Sequence, residues 1–409
     1  MSFKISPLAP KKKVNLNKLN GINVSITHCG LKKNKKEDLV LIKFDNSSCI
    51  FSFFTKSKTP GEPIIWNKSI QKYSRVSAIL INSGNANVFT GDEGKDAVKK
   101  IVDSLSKKLG IKKEEIYLAS TGIIGEQLDH RKIIKKIPYL ISNLSNTPLS
   151  WQRAANAIRT TDTYEKLASL KSTSDPKFIL NGIAKGSGMI APNMGTMLSF
   201  IFTDFQIQGI HYKKIISGLV ERTFNSITVD GDTSTSDMVL LVSVNQNKTQ
   251  KKINKKKNIE QFFQSLEDLM RNLSQQIVKD GEGASKFIQI KVSGTKNYSE
   301  AKKIAFSIAN SPLFKTALSG SDLNWGRIIM AIGKANINIE TNNLTLKFGN
   351  YFILKKGRYV LKSFLKVNKY IKQKEIDLSL DFGVSQASAC VWTCDFTKDY
   401  ISINTDYKS

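Results

Sequence analysis

The stretch KGSGMIAPNMGTMLSFIFTD, residues 185–204, limits the fold more than any other part of the chain. It opens as a Gly- and Ser-rich loop, holds Pro192 and Asn193 before a Met194-Gly195-Thr196 step, and closes on the apolar run Met197 to Phe202. A short apolar run after turn residues reads as a buried strand, so Thr196 marks the point where loop becomes strand. The same design recurs. SAILIN (77–82) leads into SGNANVFTG, the run 116–119 ends in Ser120-Thr121-Gly122, and MVLLVSV (238–244) follows the polar loop ITVDGDTSTSD. Between these strands Val98, Ile101, Val102, Leu105 and Leu109 recur at helical spacing, with a Thr90/Glu93 capping box before them and Gly110 as a stop. Ile215, Ile216, Leu219 and Val220 mark a helix over 211–224, and Ile259 through Ile277 a long amphipathic one. Ser150 is read as the cap of a helix over 151–159 and Ser299 as the cap of another running to Ile308, while 166–177 reads as a polar loop. The remainder from Asn336 reads as mainly strands through the closing DYISINTDYKS. Irregular alternation of strands and helices points to α/β (α+β) layers rather than a doubly wound sheet.

At 409 residues the chain is long enough for two or three domains at ~150 residues each. No apolar run approaches the roughly 18 residues of a membrane helix. The start MSFKISPLAPKKK shows no apolar signal region, so a cytoplasmic location is expected. Four cysteines are too few for a disulfide framework. Cys390 and Cys394 have no second Cys or His cluster with which to complete a metal site, and read as semi-buried thiols on a strand or turn. The net charge of +28 raises nucleic acid as a partner, but the excess is mostly lysine spread along the chain, without a recognisable nucleic-acid motif, and fits a solvated surface better.

A hydroxyl at the junction of loop and strand suits a nucleophile. The only histidines are His28, His130 and His211, none set in a pattern of nucleophile and carboxylate. If the chain were cut between Gly195 and Thr196, the new terminal amine would stand within reach of the Thr196 hydroxyl as its base. From the residues alone Thr196 is equally read as an ordinary β-branched residue at a strand start. Asp230, Asp232 and Asp237 lie close together, but their spacing lacks the Gly and terminal Glu of a calcium loop, and they read as support for the site.

The segment KGSGMIAPNMGTML is similar to the self-cleavage motif of the ornithine acetyltransferase family, the bifunctional glutamate N-acetyltransferases and ornithine acetyltransferases of arginine biosynthesis. That motif reads roughly KGSGMIAPNMATML, with Gly195 here in place of Ala. LINSGNANVFTG, ASTGIIG, RTTDT, FNSITVDGDTSTSD, EGASKF, NWGRI and the closing segment carry the resemblance along the chain from about Leu39. It implies a layered αββα-type sandwich of mixed sheets flanked by helices, as in the self-cleaving acyltransferase superfamily. It also implies cleavage between Gly195 and Thr196 into fragments 1–195 and 196–409, assembled as a heterotetramer of two of each. The implied reaction moves acetyl from N2-acetyl-L-ornithine to L-glutamate through acetyl-Thr196, with no metal and no cofactor, and leaves acetyl-CoA open as a co-substrate. Thr121 and Gly122 fall on the oxyanion pair, and Thr160, Lys185, Thr196, Glu282, Asn404 and Ser409 on the substrate contacts. Lys185 suits a carboxylate and Glu282 an ammonium. Lys408 replaces an Arg of the family pattern and Leu323 a Pro. A related self-processing amidase or aminopeptidase, and a basic nucleic-acid-binding protein with a degenerate site, remain as alternatives.

Overall fold

The computed structural model describes residues 4–33, 35–173, 177–191, 197–246, 256–338 and 340–406, so Gly195, Thr196, Lys408 and Ser409 lie outside the described residues. Strands β1 (Ile22–Thr27), β2 (Leu39–Phe54), β3 (Arg75–Asn85), β4 (Ile116–Ile123), β5 (Lys166–Lys171), β6 (Ile179–Lys185), β7 (Leu198–Thr203) and β8 (Met238–Ser243) form one eight-stranded sheet. Its order is β4-β3-β2-β8-β7-β6-β5, with β1 alongside β2. The long strand β2 is irregular between Lys43 and Ser48: residues before the break pair with β1 and β3, and residues 49–54 pair with β8.

That irregularity lets a single sheet make two layers. Val40, Ile42 and Phe44 of β2 and Ile79 and Ile81 of β3 share one core with Phe200 and Phe202 of β7 and Leu240 and Val242 of β8. The rings of Phe44 and Phe202 stand 6.1 Å apart, so the two halves of the sheet face each other across this core. The opposite faces are covered by helices. Among α1 (Glu62–Ile70), α2 (Gly91–Leu109), α3 (His130–Ser142) and α4 (Pro148–Ala157), α2 and α3 lay Val98, Ile101, Leu105, Ile133 and Ile137 over Leu39, Leu41, Leu80 and Leu118. On the other outer face α5 (Ile210–Arg222) and α6 (Lys256–Lys279) bring Ile216, Leu219, Phe262, Leu266 and Leu273 against Leu180, Ile201, Val239 and Leu241. Each such fully buried aliphatic side chain contributes about 1.5–3 kcal/mol. The helix-sheet-sheet-helix sandwich expected from the sequence is therefore present, built by folding one sheet.

A second, six-stranded sheet follows: β9 (Phe287–Thr295), β10 (Thr345–Phe348), β11 (Tyr351–Lys355), β12 (Arg358–Tyr359), β13 (Glu375–Asp381) and β14 (Ala387–Cys394), in the order β12-β11-β10-β13-β9-β14. Helices α7 (Tyr298–Ala309), α8 (Pro312–Ser319) and α9 (Gly326–Gly333) pack on it through Ala301, Ile304, Ile308, Phe314 and Ile328. The short helix α10 (Phe364–Tyr370) precedes β13, and α11 (Lys398–Asp406) ends the described chain. Phe287, Trp392 and Cys394 join the core of α6 and so tie the second sheet to the first.

Several local expectations change. The polar stretch from Lys166 is strand β5, in register with β6 from Lys166↔Ala184 to Lys171↔Ile179, because its first lysine is buried with carboxylate partners instead of solvated. The closing segment as far as Asp406 is the helix α11, not a strand. Thr147, not Ser150, caps α4, with Ser150 completing the capping box, and Asn297 rather than Ser299 caps α7. Thr90 precedes α2 but gives no cap, since its hydroxyl donates to Asn87 Oδ1 instead.

Candidate functional site

The ends of β3 and β4 run parallel, with Ser83 opposite Thr121 and Gly84 opposite Gly122. A side chain at Gly122 would strike the backbone of Gly84 and Asn85, and its φ of 132° lies where side-chained residues are strained, so only glycine fits. Opposite them β6 ends in Lys185, 2% exposed, whose Nζ donates to Thr121 Oγ1 at 3.1 Å and Thr160 Oγ1 at 3.0 Å. The structure thus brings together Thr121, Gly122, Thr160 and Lys185 from three separate sequence segments. Burial pushes the Lys185 pKa below its ordinary value; the Asp162 carboxylate opposes the shift without cancelling it.

Beneath this cation lies a hub that sequence reasoning missed. Lys166, fully buried, donates to Asp162 Oδ1 at 2.7 Å and to Asp280 Oδ2 at 2.6 Å. Asp162 also accepts from the Gly186 amide at 2.7 Å and the Thr160 amide at 3.1 Å, which sets both neighbours of Lys185. Asp280 accepts from the Thr163 amide at 2.9 Å and from the Thr163 hydroxyl. Burial alone would lower the Lys166 pKa, but the two carboxylates outweigh it and the net direction is up. Asp162 stood within the RTTDT motif and Asp280 two residues before Glu282, so position near motifs was the only available signal.

Glu282 is also buried, at 7% exposure, although a lone Glu is more often a surface charge. Its amide donates to Ser187 O at 3.2 Å, its Oε2 accepts from Asn404 Nδ2 at 2.8 Å, and its carboxyl fills the space that a side chain at Gly188 would need. Asn404 reaches it from α11, which is how the mistaken strand at the end of the chain becomes a helix that closes the site. Asp230 sits beside this acidic end. Burial pushes its pKa up to about 6, with the charge of Glu282 adding to the rise.

The segment 192–196 is outside the described residues, but both of its flanks are gripped by one loop. Asp230 accepts from the amides of Met189 at 2.6 Å and Ile190 at 2.9 Å, and the Val229 amide donates to Ile190 O at 2.8 Å. On the far side Asp237 Oδ1 accepts from the Met197 amide at 2.7 Å, with its pKa raised well above the ordinary value by burial. Two of the aspartates that could have suggested a cation site, Asp230 and Asp237, act here on backbone amides. Among the described residues no group of three or more His, Cys, Asp and Glu is placed to hold a metal ion, and no helix is long and apolar enough to cross a membrane.

The site therefore has a buried basic pole at Lys185 and a buried acidic pole at Glu282, with hydroxyls at Thr121 and Thr160. Such a site fits a zwitterionic amino-acid derivative whose carboxylate and distal cation are held apart. Residues 23–409 match the profile described as the ArgJ family. The chain is 40% identical over 415 residues to "Arginine biosynthesis bifunctional protein ArgJ" of Agrobacterium fabrum, and 40% identical over 415 residues to the protein of that name from Mesorhizobium japonicum, with 100% of each chain covered in both cases. A crystal structure of arginine biosynthesis bifunctional protein argJ from Bacillus halodurans is 37% identical, with TM-score 0.48, over 52% of this chain and 100% of that one.

Proposed function

Because the chain belongs to the ArgJ family, we propose that it is an acyltransferase of arginine biosynthesis that moves acetyl from N2-acetyl-L-ornithine to L-glutamate through an acetyl-Thr196 intermediate. The observation that carries the mechanism is the buried, under-compensated Lys185 held between two hydroxyls. A substrate α-carboxylate supplies the charge that Lys185 lacks, and the Thr160 hydroxyl turns with it. The distal ammonium of the donor meets Glu282, oriented by Asn404.

Cleavage between Gly195 and Thr196 gives fragments 1–195 and 196–409 and frees the Thr196 amine. That amine takes the proton of its own hydroxyl as the oxygen attacks the acetyl carbonyl. Thr121 accepts its hydrogen bond from Lys185, so its own O–H is left to donate to the developing oxyanion, together with the Gly122 amide. Collapse of the intermediate passes the proton to the ornithine amine as it leaves. The amine of glutamate then attacks acetyl-Thr196 by the same steps in reverse, and the free Thr196 amine is restored. None of these steps calls for a metal or cofactor. The relatives carry the word bifunctional, which supports acetyl-CoA as a second donor. The two fragments assembling as a heterotetramer and working in the cytoplasm complete the reading.

The purified protein should run as two fragments on a denaturing gel, the second beginning Thr-Met-Leu-Ser. Thr196→Ala should give one band of 45.6 kDa and no acetyl transfer. A wild-type chain that stays intact and still transfers acetyl would sink the terminal-amine mechanism.

A further inference from the structure

Donor and acceptor in this reaction differ in the sign of their distal group. Acetylornithine ends in an ammonium and glutamate in a carboxylate, so the Glu282 pole that attracts the first repels the second. An acceptor with two carboxylates needs two cations, and Lys185 is only one.

A second cation is built into the site by a loop with no other visible task. The Asp38 carboxylate, 1% exposed, accepts from four successive amides, those of Cys29 at 2.6 Å, Gly30 at 3.1 Å, Leu31 at 2.8 Å and Lys32 at 3.0 Å. This winds the loop rigidly over the end of β3, where Lys32 Cγ comes within 3.2 Å of where a side chain at Gly84 would start. Gly84 is the ladder partner of Gly122, so the Lys32 stem lies against the residue paired with one member of the oxyanion pair. Its Nζ donates to Ala157 O at 2.8 Å and Glu37 O at 3.2 Å. An ammonium has three protons, which leaves one to give. Lys185 and Arg159 are close enough to act on Lys32 electrostatically, and burial, the larger effect, brings its pKa down to about 8. Arg159 stands between Ala157, which holds Lys32, and Thr160, which holds Lys185; its Nε is buried and has no hydrogen-bond partner among the described residues.

We propose that Lys32 and Arg159 form the subsite for the distal carboxylate of the acyl acceptor, and so select glutamate over uncharged amino acids in the second half-reaction. The inference rests on the acetyl-transfer reading above and adds to it the residues that tell acceptor from donor. Lys185 serves both substrates, Glu282 the donor alone, and the Lys32–Arg159 pair the acceptor alone.

The test separates the half-reactions. Lys32→Met keeps the aliphatic stem over Gly84 and removes only the charge. Mixed with N-acetylornithine and no acceptor, it should release ornithine at close to the wild-type rate. With acceptor present, its KM for glutamate should rise by about tenfold or more, and its preference for glutamate over glutamine should collapse by a similar factor. Lys32→Arg should recover most of the preference. Arg159→Met, which leaves the Asp38 loop untouched, should shift the same two quantities and decides the matter if Lys32→Met does not fold. The subsite is overturned if both variants keep the wild-type glutamate preference, or if they slow ornithine release as much as transfer. A wild-type protein that releases no ornithine from N-acetylornithine would instead overturn the acetyl-transfer reading, and the subsite with it.

Discussion

Two fully buried lysines stand almost side by side, Lys166 at the start of β5 and Lys185 at the end of β6, where Lys166 pairs with Ala184. Their surroundings are opposite. Lys166 is held by two carboxylates within 2.7 Å and its pKa is driven up; among the described residues the Lys185 ammonium hydrogen-bonds to two threonine hydroxyls and to no carboxylate, and its pKa is driven down. Burial is common to both and so says nothing about role. What separates them is compensation: the first charge is complete within the fold, and the second becomes complete only when an anion arrives.

The largest effect should come from breaking the complete pair. Lys166→Met strands Asp162 and Asp280 together in the interior and should destabilise the protein by about 3–5 kcal/mol, read as a fall in the denaturation midpoint. Lys185→Met removes a charge that the fold does not satisfy. It should therefore leave the midpoint unchanged or raised, while kcat/KM for acetyl transfer falls by roughly 10² or more. If the two variants lose stability equally, the contrast between them is wrong. Thr121→Ala should lower turnover by about 10² with little change in stability, because the lost hydroxyl is read as a transition-state donor. Unchanged turnover would make Thr121 a mere partner of the lysine.

The smallest effect is a proton. The folded pKa of Lys185 lies below its ordinary value of 10.5, so between those values the folded protein holds fewer protons than the unfolded chain. Stability from this group therefore rises with pH across that window. A carboxylate ligand pulls the pKa back up, so binding of N-acetylornithine within that window should take up protons. Calorimetry in two buffers of different ionisation heat reads the uptake directly, and no difference between buffers would mean that Lys185 is already charged.

The apolar runs were legible because a strand buried on both faces writes itself as consecutive apolar residues, as Met238 to Val242 do. Strand β5 was not, since KLASLK carries its meaning in partners 114 residues away, and no local pattern announces that Lys166 will meet Asp280. Helix α11 was missed for a related reason: its residues include none that are buried, so it shows no apolar face. In the site, the threonines, Lys185 and Glu282 were legible only through a motif resemblance, and composition alone would have left both charges on the surface. Asp38 and Lys32 were hidden in a lysine-rich run that looked like solvated loop, because four amides converging on one carboxylate leave no periodicity in the residues that supply them.

The strand order of the first sheet gives the proposed cleavage an unusual mechanical character. Read across β4-β3-β2-β8-β7-β6-β5, the strands that precede residue 196 occupy both flanks and the two that follow it, β8 and β7, lie between them. A cut at that bond would leave two chains threaded through each other, joined along the β2–β8 seam on one side and the β7–β6 seam on the other. The layer built on β5–β8 would draw strands from both pieces, so the pair could part only by tearing two ladders at once. The nick would be invisible to shape and to equilibrium measurements short of unfolding, and once unfolded the pieces would face a two-body search to reassemble where the uncut chain had a one-body problem. Refolding yield would then depend more steeply on protein concentration for the cut form than for Thr196→Ala.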